Sequence, residues 1–231
     1  MLVANVLKTL IWRLAAPAAG VLLSISPGVG ATVSFSQGGS PCADGLCSSV
    51  PSTHTITFNN AVSGPYVDGI ATFSYGAGGS PFVSGSVAGK FAAPPNNDST
   101  YLTVGSPGRA NAVYVDFSRG INYYGFYLGS PDSYNMVSFF SKASDLNPIA
   151  TFSGTELLPP ATGNRQVGGY LNFFVNGGDV ERIVLSSLTP ALETDNHAFL
   201  SPVPEPASFG LAGAGVVLAL AARRRKAAAR S

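Results

Sequence analysis

In the run NAVYVDF, Asn111 to Phe117, the apolar residues Val113, Val115 and Phe117 fall on every second position, with Tyr114 and Asp116 between them. A period of two sends alternate side chains to opposite faces of an extended strand. The stretch can therefore bury one face and wet the other only as β-structure. The same spacing recurs in THTITFN (Ile56, Phe58), YLNFFVN (Leu171, Phe173, Val175) and ERIVLSSL (Ile183, Leu185). Clusters of turn formers lie between such runs: Gly38 to Pro41, Gly76 to Pro81, Pro94 to Ser99, Gly105 to Gly108, Gly129 to Asp132 and Asn176 to Asp179. Nothing between residues 32 and 202 carries a helical stripe. About ten to twelve short strands at this spacing predict an all-β fold, a jelly-roll-like antiparallel β-sandwich. No internal repeat or linker divides it.

The two ends differ from this body. Lys8 and Arg13 form a positive n-region, Leu14 to Val29 is apolar apart from Ser24 and Ser26, and Val29-Gly30-Ala31 has the small-residue pattern of a signal peptidase site. Residues 1–31 therefore read as a signal peptide helix, with an uncut N-terminal anchor as the alternative. At the other end, Val203-Pro204-Glu205-Pro206 is held extended by its prolines. Ala207 to Ala222 follows, uncharged, then Arg223, Arg224, Arg225 and Lys226. As a helix the uncharged run is about 24 Å long, against roughly 30 Å of bilayer hydrocarbon. Snorkelling flanks can absorb that mismatch, so residues 203–231 are expected to hold a C-terminal transmembrane helix with its basic end in the cytoplasm. The alternative is a buried C-terminal helix with a solvated basic end. The expected organisation is residues 1–31, a β-sandwich domain over 32–202, and a tail over 203–231.

A signal peptide in front, with V-P-E-P, an apolar segment and an arginine cluster behind, resembles the PEP-CTERM sorting signal of Gram-negative bacteria. The resemblance covers Val203 to about Arg225. It implies recognition of Pro204, Glu205 and Pro206 by an inner-membrane exosortase, with Arg223, Arg224 and Arg225 as the stop-and-orient signal. It also implies removal of the tail and delivery of the body to the cell surface or an extracellular polysaccharide matrix. The stretch YYGFYLGSPDSYNMVSFFS, with IATFSGTELL, YLNFFVN, ERIVLSSL and ALETDNHAF, is similar to a recurring body of exosortase-dependent surface proteins. That similarity, over roughly Asn122 to Phe199, implies a jelly-roll-like sandwich and surface location, and no reaction.

The net charge of +1 for the whole chain conceals an acidic body. Residues 32–202 hold six basic side chains and eleven acidic ones, because the arginines sit in the tail. Such a body has no basic face for nucleic acid. Cys42 and Cys47, in PCADGLC, most simply close a local disulfide in an exported chain. Free thiols or a metal site are the alternatives, and the latter lacks nearby histidines.

Two clusters carry candidate chemistry. GSPDSYN, Gly129 to Asn135, offers Asp132, Tyr134 and Asn135 for hydrogen bonds to sugar hydroxyls and stacking on a sugar ring. Its plainer reading is a turn capped by Asp132 or Ser133. LETDN, Leu192 to Asn196, sets Glu193 and Asp195 on one face of a strand, and with Asn196 they suit Ca²⁺. Asp44 and Asp68 are candidates for further ligands. Its plainer reading is a solvent-facing strand.

For catalysis, no carboxylate pair stands out as a glycosidase would need, and no G-x-S-x-G occurs. GSVAGK, Gly85 to Lys90, lacks the first glycine and the magnesium-binding hydroxyl of a phosphate loop and reads as a glycine-bearing strand. His54 and His197 read as surface or packing residues. The expectation is a non-enzymatic surface protein whose sandwich contacts extracellular polysaccharide. A secreted glycan-active hydrolase on the same scaffold and a purely structural matrix component are the alternatives.

Overall fold

A computed structural model describes residues 30–202. The expected signal peptide helix and transmembrane helix fall outside them. Strands run β1 (Thr32–Gln37), β2 (Ser40–Cys42), β3 (Gly45–Cys47), β4 (His54–Ile56), β5 (Tyr66–Asp68), β6 (Ala71–Tyr75) and β7 (Phe82–Ser84). They continue with β8 (Thr100–Val104), β9 (Ala112–Ile121), β10 (Tyr123–Gly129), β11 (Met136–Phe140) and β12 (Ala150–Ser153). A single helical turn, α1 (Gly154–Leu157), precedes β13 (Gly168–Asn176), β14 (Val180–Ser186) and β15 (Leu192–Leu200). The turn was not foreseen; it is closed by a capping box in which Glu156 reaches back to Ser153.

All strand pairs are antiparallel, in two large sheets and the separate β2–β3 hairpin. The front sheet runs β1-β13-β10-β15-β8-β7, with β4 also on β15, and the back sheet runs β12-β11-β14-β9-β6-β5. From β8 onward the chain crosses between sheets at every step except β11 to β12. The last two strands enter the middle of their sheets: β14 between β11 and β9, β15 between β10 and β8.

One core lies between the sheets. The residues picked out by period two all point into it: Ile56, Phe58, Val113, Val115, Phe117, Leu171, Phe173, Val175, Ile183 and Leu185 are buried. Phe173 sits at its centre, with ring centroids 4.9 Å from Phe139 and 5.6 Å from Phe126. His197 is fully buried beside them, ringed by Phe58, Phe73, Tyr124 and Phe126. Its ring nitrogens meet Tyr124 Oη and Thr194 Oγ1, and burial pulls its pKa down to about 3.

The front sheet is buried on its other face as well. Tyr123, Tyr127 and Tyr170 point outward from β10 and β13, under a cover made by the β2–β3 hairpin and the segment between β7 and β8. Two glycines of β10 permit the close approach. A Cβ on Gly125 would lie 2.8 Å from the Tyr170 ring, and one on Gly129 would lie 2.8 Å from Pro94 of the cover.

Part of that cover departs from expectation. Gly85 to Lys90 is a tight turn after β7 rather than a strand, since Gly85 and Gly89 have φ of +64° and +72° and the chain doubles back to pair Val87 with Phe91.

Candidate functional site

The site is built on β15. Glu193 and Asp195 do share a face, as their spacing predicts, and it is the covered outer face of the front sheet. A β-bulge then adds one residue: Gly125 opposes Ala198 while Tyr127 opposes Asp195. Asn196 takes up the slack at φ +48°. Asn196 therefore points outward beside Asp195, and His197 is returned to the core.

Each of the three outward side chains holds down part of the cover. Glu193 accepts from Ala92 N–H at 2.9 Å and from Ser130 Oγ at 2.7 Å. Asp195 Oδ2 accepts from Asn97 Nδ2 at 2.5 Å and from Ser99 Oγ at 3.2 Å. Asn196 Nδ2 donates to the carbonyls of Asp44 at 2.7 Å and Leu46 at 3.1 Å. This ties down the hairpin closed by the Cys42–Cys47 disulfide, whose Cα atoms are 5.9 Å apart. Burial pushes the Glu193 carboxyl up to about 7 and the Asp195 carboxyl up to about 6.

The expectation of a solvent-facing strand is therefore corrected: Glu193 and Asp195 are 2 % and 0 % exposed. The donor set does not suit calcium either. Three of the four carboxylate oxygens are engaged by N–H or O–H donors, and only Asp195 Oδ1 is buried without a partner. Among the described residues no three His, Cys, Asp or Glu side chains come together as a metal cluster. Asp68 is engaged elsewhere, its Oδ1 lying 2.6 Å from His54 Nε2, and Asp44 meets Asn196 through its backbone carbonyl.

A cleft of about 400 Å³ opens beside Glu193. It joins the two sequence clusters, because Asp132 and Tyr134 line it together with Glu193. Lys90 and Phe91 of the cover and Arg165 of the loop before β13 complete its wall. A loop-to-loop bridge, Asp132 to Thr162, brings that second loop in. Tyr134 Oη donates to the Pro190 carbonyl at 2.6 Å, so its proton is committed and its oxygen can act only as an acceptor. Burial raises the pKa of Asp132. Asn135, the third residue of the expected binding turn, is buried beneath it and accepts from Ser187 Oγ at 3.0 Å, so it does not reach the cleft.

Lys90, Phe91 and Arg165 were not singled out in the sequence as binding residues. The one signal there for Lys90 and Arg165 was the rarity of their charge: the body has six cations, and two of them stand at this cleft.

Residues 202–226 match the PEP-CTERM protein-sorting motif. The chain thus carries a sorting signal, whose processing enzyme is an exosortase, and its route leads to the cell surface or its membrane. The motif residues Pro204, Glu205, Pro206, Arg223, Arg224 and Arg225 lie outside the described residues. No curated protein matches the sequence.

Proposed function

We propose that the protein is a non-enzymatic surface or matrix component of a Gram-negative envelope. Its signal peptide is removed by signal peptidase, its tail halts briefly in the inner membrane, and an exosortase cuts near Pro204-Glu205-Pro206. The observation that carries this reading is the match over residues 202–226. The exported body is a jelly roll: the orders β8-β15-β10-β13 and β9-β14-β11-β12 are those of two interleaved Greek keys. Its cleft, with Asp132 and Tyr134 as acceptors beside Phe91, supports binding of extracellular polysaccharide.

The test of the sorting half is made in cells. Glu205→Ala, or deletion of Arg223 to Arg225, should leave uncut precursor in the inner membrane. Unchanged delivery to the surface overturns the reading.

A secreted glycan-active hydrolase is favoured by one observation: Asp132 and Glu193 line the same cleft, and Glu193 is held near 7, as a general acid would be. Against it, both Glu193 oxygens are committed to Ala92 and Ser130. Glucose, galactose or uronic acid release from polysaccharide by the wild-type protein, abolished in Glu193→Gln, would establish it.

A further inference from the structure

The cations of the body are unevenly used. Lys142 pairs with Glu181 at 2.5 Å and Arg182 with Asp116 at 2.6 Å, both on the back sheet side. Arg109 is engaged by the Ser80 carbonyl and sits 5.8 Å from the centroid of Phe91, bracing that wall of the cleft from behind. Lys90 and Arg165 line the cleft, are exposed, and make no ion pair among the described residues. An acidic body that leaves two unpaired cations on one concavity concentrates positive potential there.

The acids of the cleft offset that potential only in part, because Asp132 alone stands on its open side. Glu193 lies at the floor with both oxygens occupied, and burial favours its neutral form. Asp132 remains as the one exposed-side acceptor, with Tyr134 Oη beside it. The arrangement is cationic at the rim and hydrogen-bond accepting below, with Phe91 as an apolar wall.

A planar guanidinium grips a carboxylate through two parallel hydrogen bonds. Acceptors set beside it match hydroxyl groups on the same small ring. We infer that the cleft takes a carboxylated sugar, a uronic acid unit of an acidic polysaccharide. Arg165 and Lys90 hold its carboxylate, and Asp132 and Tyr134 accept from its hydroxyls. The inference rests on the polysaccharide-binding reading above and narrows it to anionic chains.

The test uses the purified exported protein, titrated calorimetrically with oligogalacturonate and with neutral galactan oligosaccharide of equal length. The acidic oligomer should bind about tenfold or more tightly than the neutral one, and raising the salt should weaken it. Arg165→Gln and Lys90→Gln, at exposed positions without ion pairs, should keep the wild-type melting temperature and each lose about tenfold in affinity for the acidic oligomer. Arg119→Gln, a cation on β9 outside the cleft, should bind as wild type. If both oligomers bind alike and neither cleft substitution matters, the charge inference is overturned while polysaccharide binding stands. If neither oligomer binds, both are overturned.

Discussion

Strand β9 of the back sheet and strand β15 of the front sheet both lie inside their sheets, yet their outward side chains meet different surroundings. Along β9, buried Val113 and Val115 alternate with exposed Tyr114 and half-buried Asp116, whose carboxylate pairs at the surface with Arg182. Along β15, every residue from Leu192 to Phe199 is buried. The inner faces of the two strands obey one rule, since they share a core. The outer faces diverge because loops and a hairpin from elsewhere in the chain settle on the front sheet alone. Period two therefore reports which face points inward, and says nothing about whether the other face is wet.

The largest contrast should come from outward-facing tyrosines. Tyr170→Ala on the front sheet empties a covered site and should cost about 3–5 kcal/mol. Tyr114→Ala on the back sheet removes a half-exposed ring stacked near Arg182 and should cost about 1 kcal/mol or less. Urea unfolding of both variants measures the pair; equal losses would mean that the cover contributes little.

A smaller difference is expected from single amides and hydroxyls. Asn196→Ala frees the carbonyls of Asp44 and Leu46 and puts alanine at a positive φ, for about 1–3 kcal/mol. Ser138→Ala, whose hydroxyl meets Thr151 on the exposed back face, should stay within about 0.5 kcal/mol. Limited proteolysis should also cut the 40–47 hairpin faster in the Asn196 variant only.

Acidity separates the faces next. Glu193 and Asp195 have folded pKa values of about 7 and about 6, raised by burial. The native state therefore takes up protons before the unfolded chain does. Their contribution to stability is complete below the unfolded carboxyl range and is lost as pH rises through about 6 to 7. His197 works in the opposite sense below its unfolded pKa of about 6.5, because its folded value is near 3. The melting temperature should thus climb from about pH 8 to about pH 5 and fall again in stronger acid. A Glu193→Gln, Asp195→Asn double variant should lose the climb, whereas Asp116→Asn on the back sheet should retain it.

The smallest effect is expected from chelation. With three of the four carboxylate oxygens already hydrogen-bonded, EDTA should leave the melting temperature unchanged; a clear drop would restore the calcium reading.

Much of the inner core could be read from residues in isolation, because Val113, Phe173 and Leu185 each sit in runs long enough for alternation to be counted. The three-residue strands β2, β3, β5 and β7 could not, since three residues do not define a period, whereas the equally short β4 was legible because alternation runs on past its end to Phe58. The double burial of β10 left a fainter trace: Tyr123, Gly125, Tyr127 and Gly129 alternate broad, amphipathic rings with residues that have no side chain to obstruct a covering loop. The candidate site was legible only in halves. Asp132 and Glu193 were both conspicuous, but their convergence depends on the register between β10 and β15, where Gly129 opposes Glu193. The cations across the cleft arrive on two loops whose positions no local pattern encodes.

The placement of the last two strands has a temporal side. A chain that emerges N-terminus first, from the ribosome or through a membrane, appears with both sheets parted: the slot beside β9 waits for β14, and the slot beside β8 waits for β15. Contacts of such long sequence separation form late. Closure comes only with Leu200, two residues before the sorting motif begins at residue 202. The front sheet thus cannot be completed until the residues next to its delivery label have emerged, and a chain truncated anywhere inside β15 would lose the keystone of that sheet along with the label.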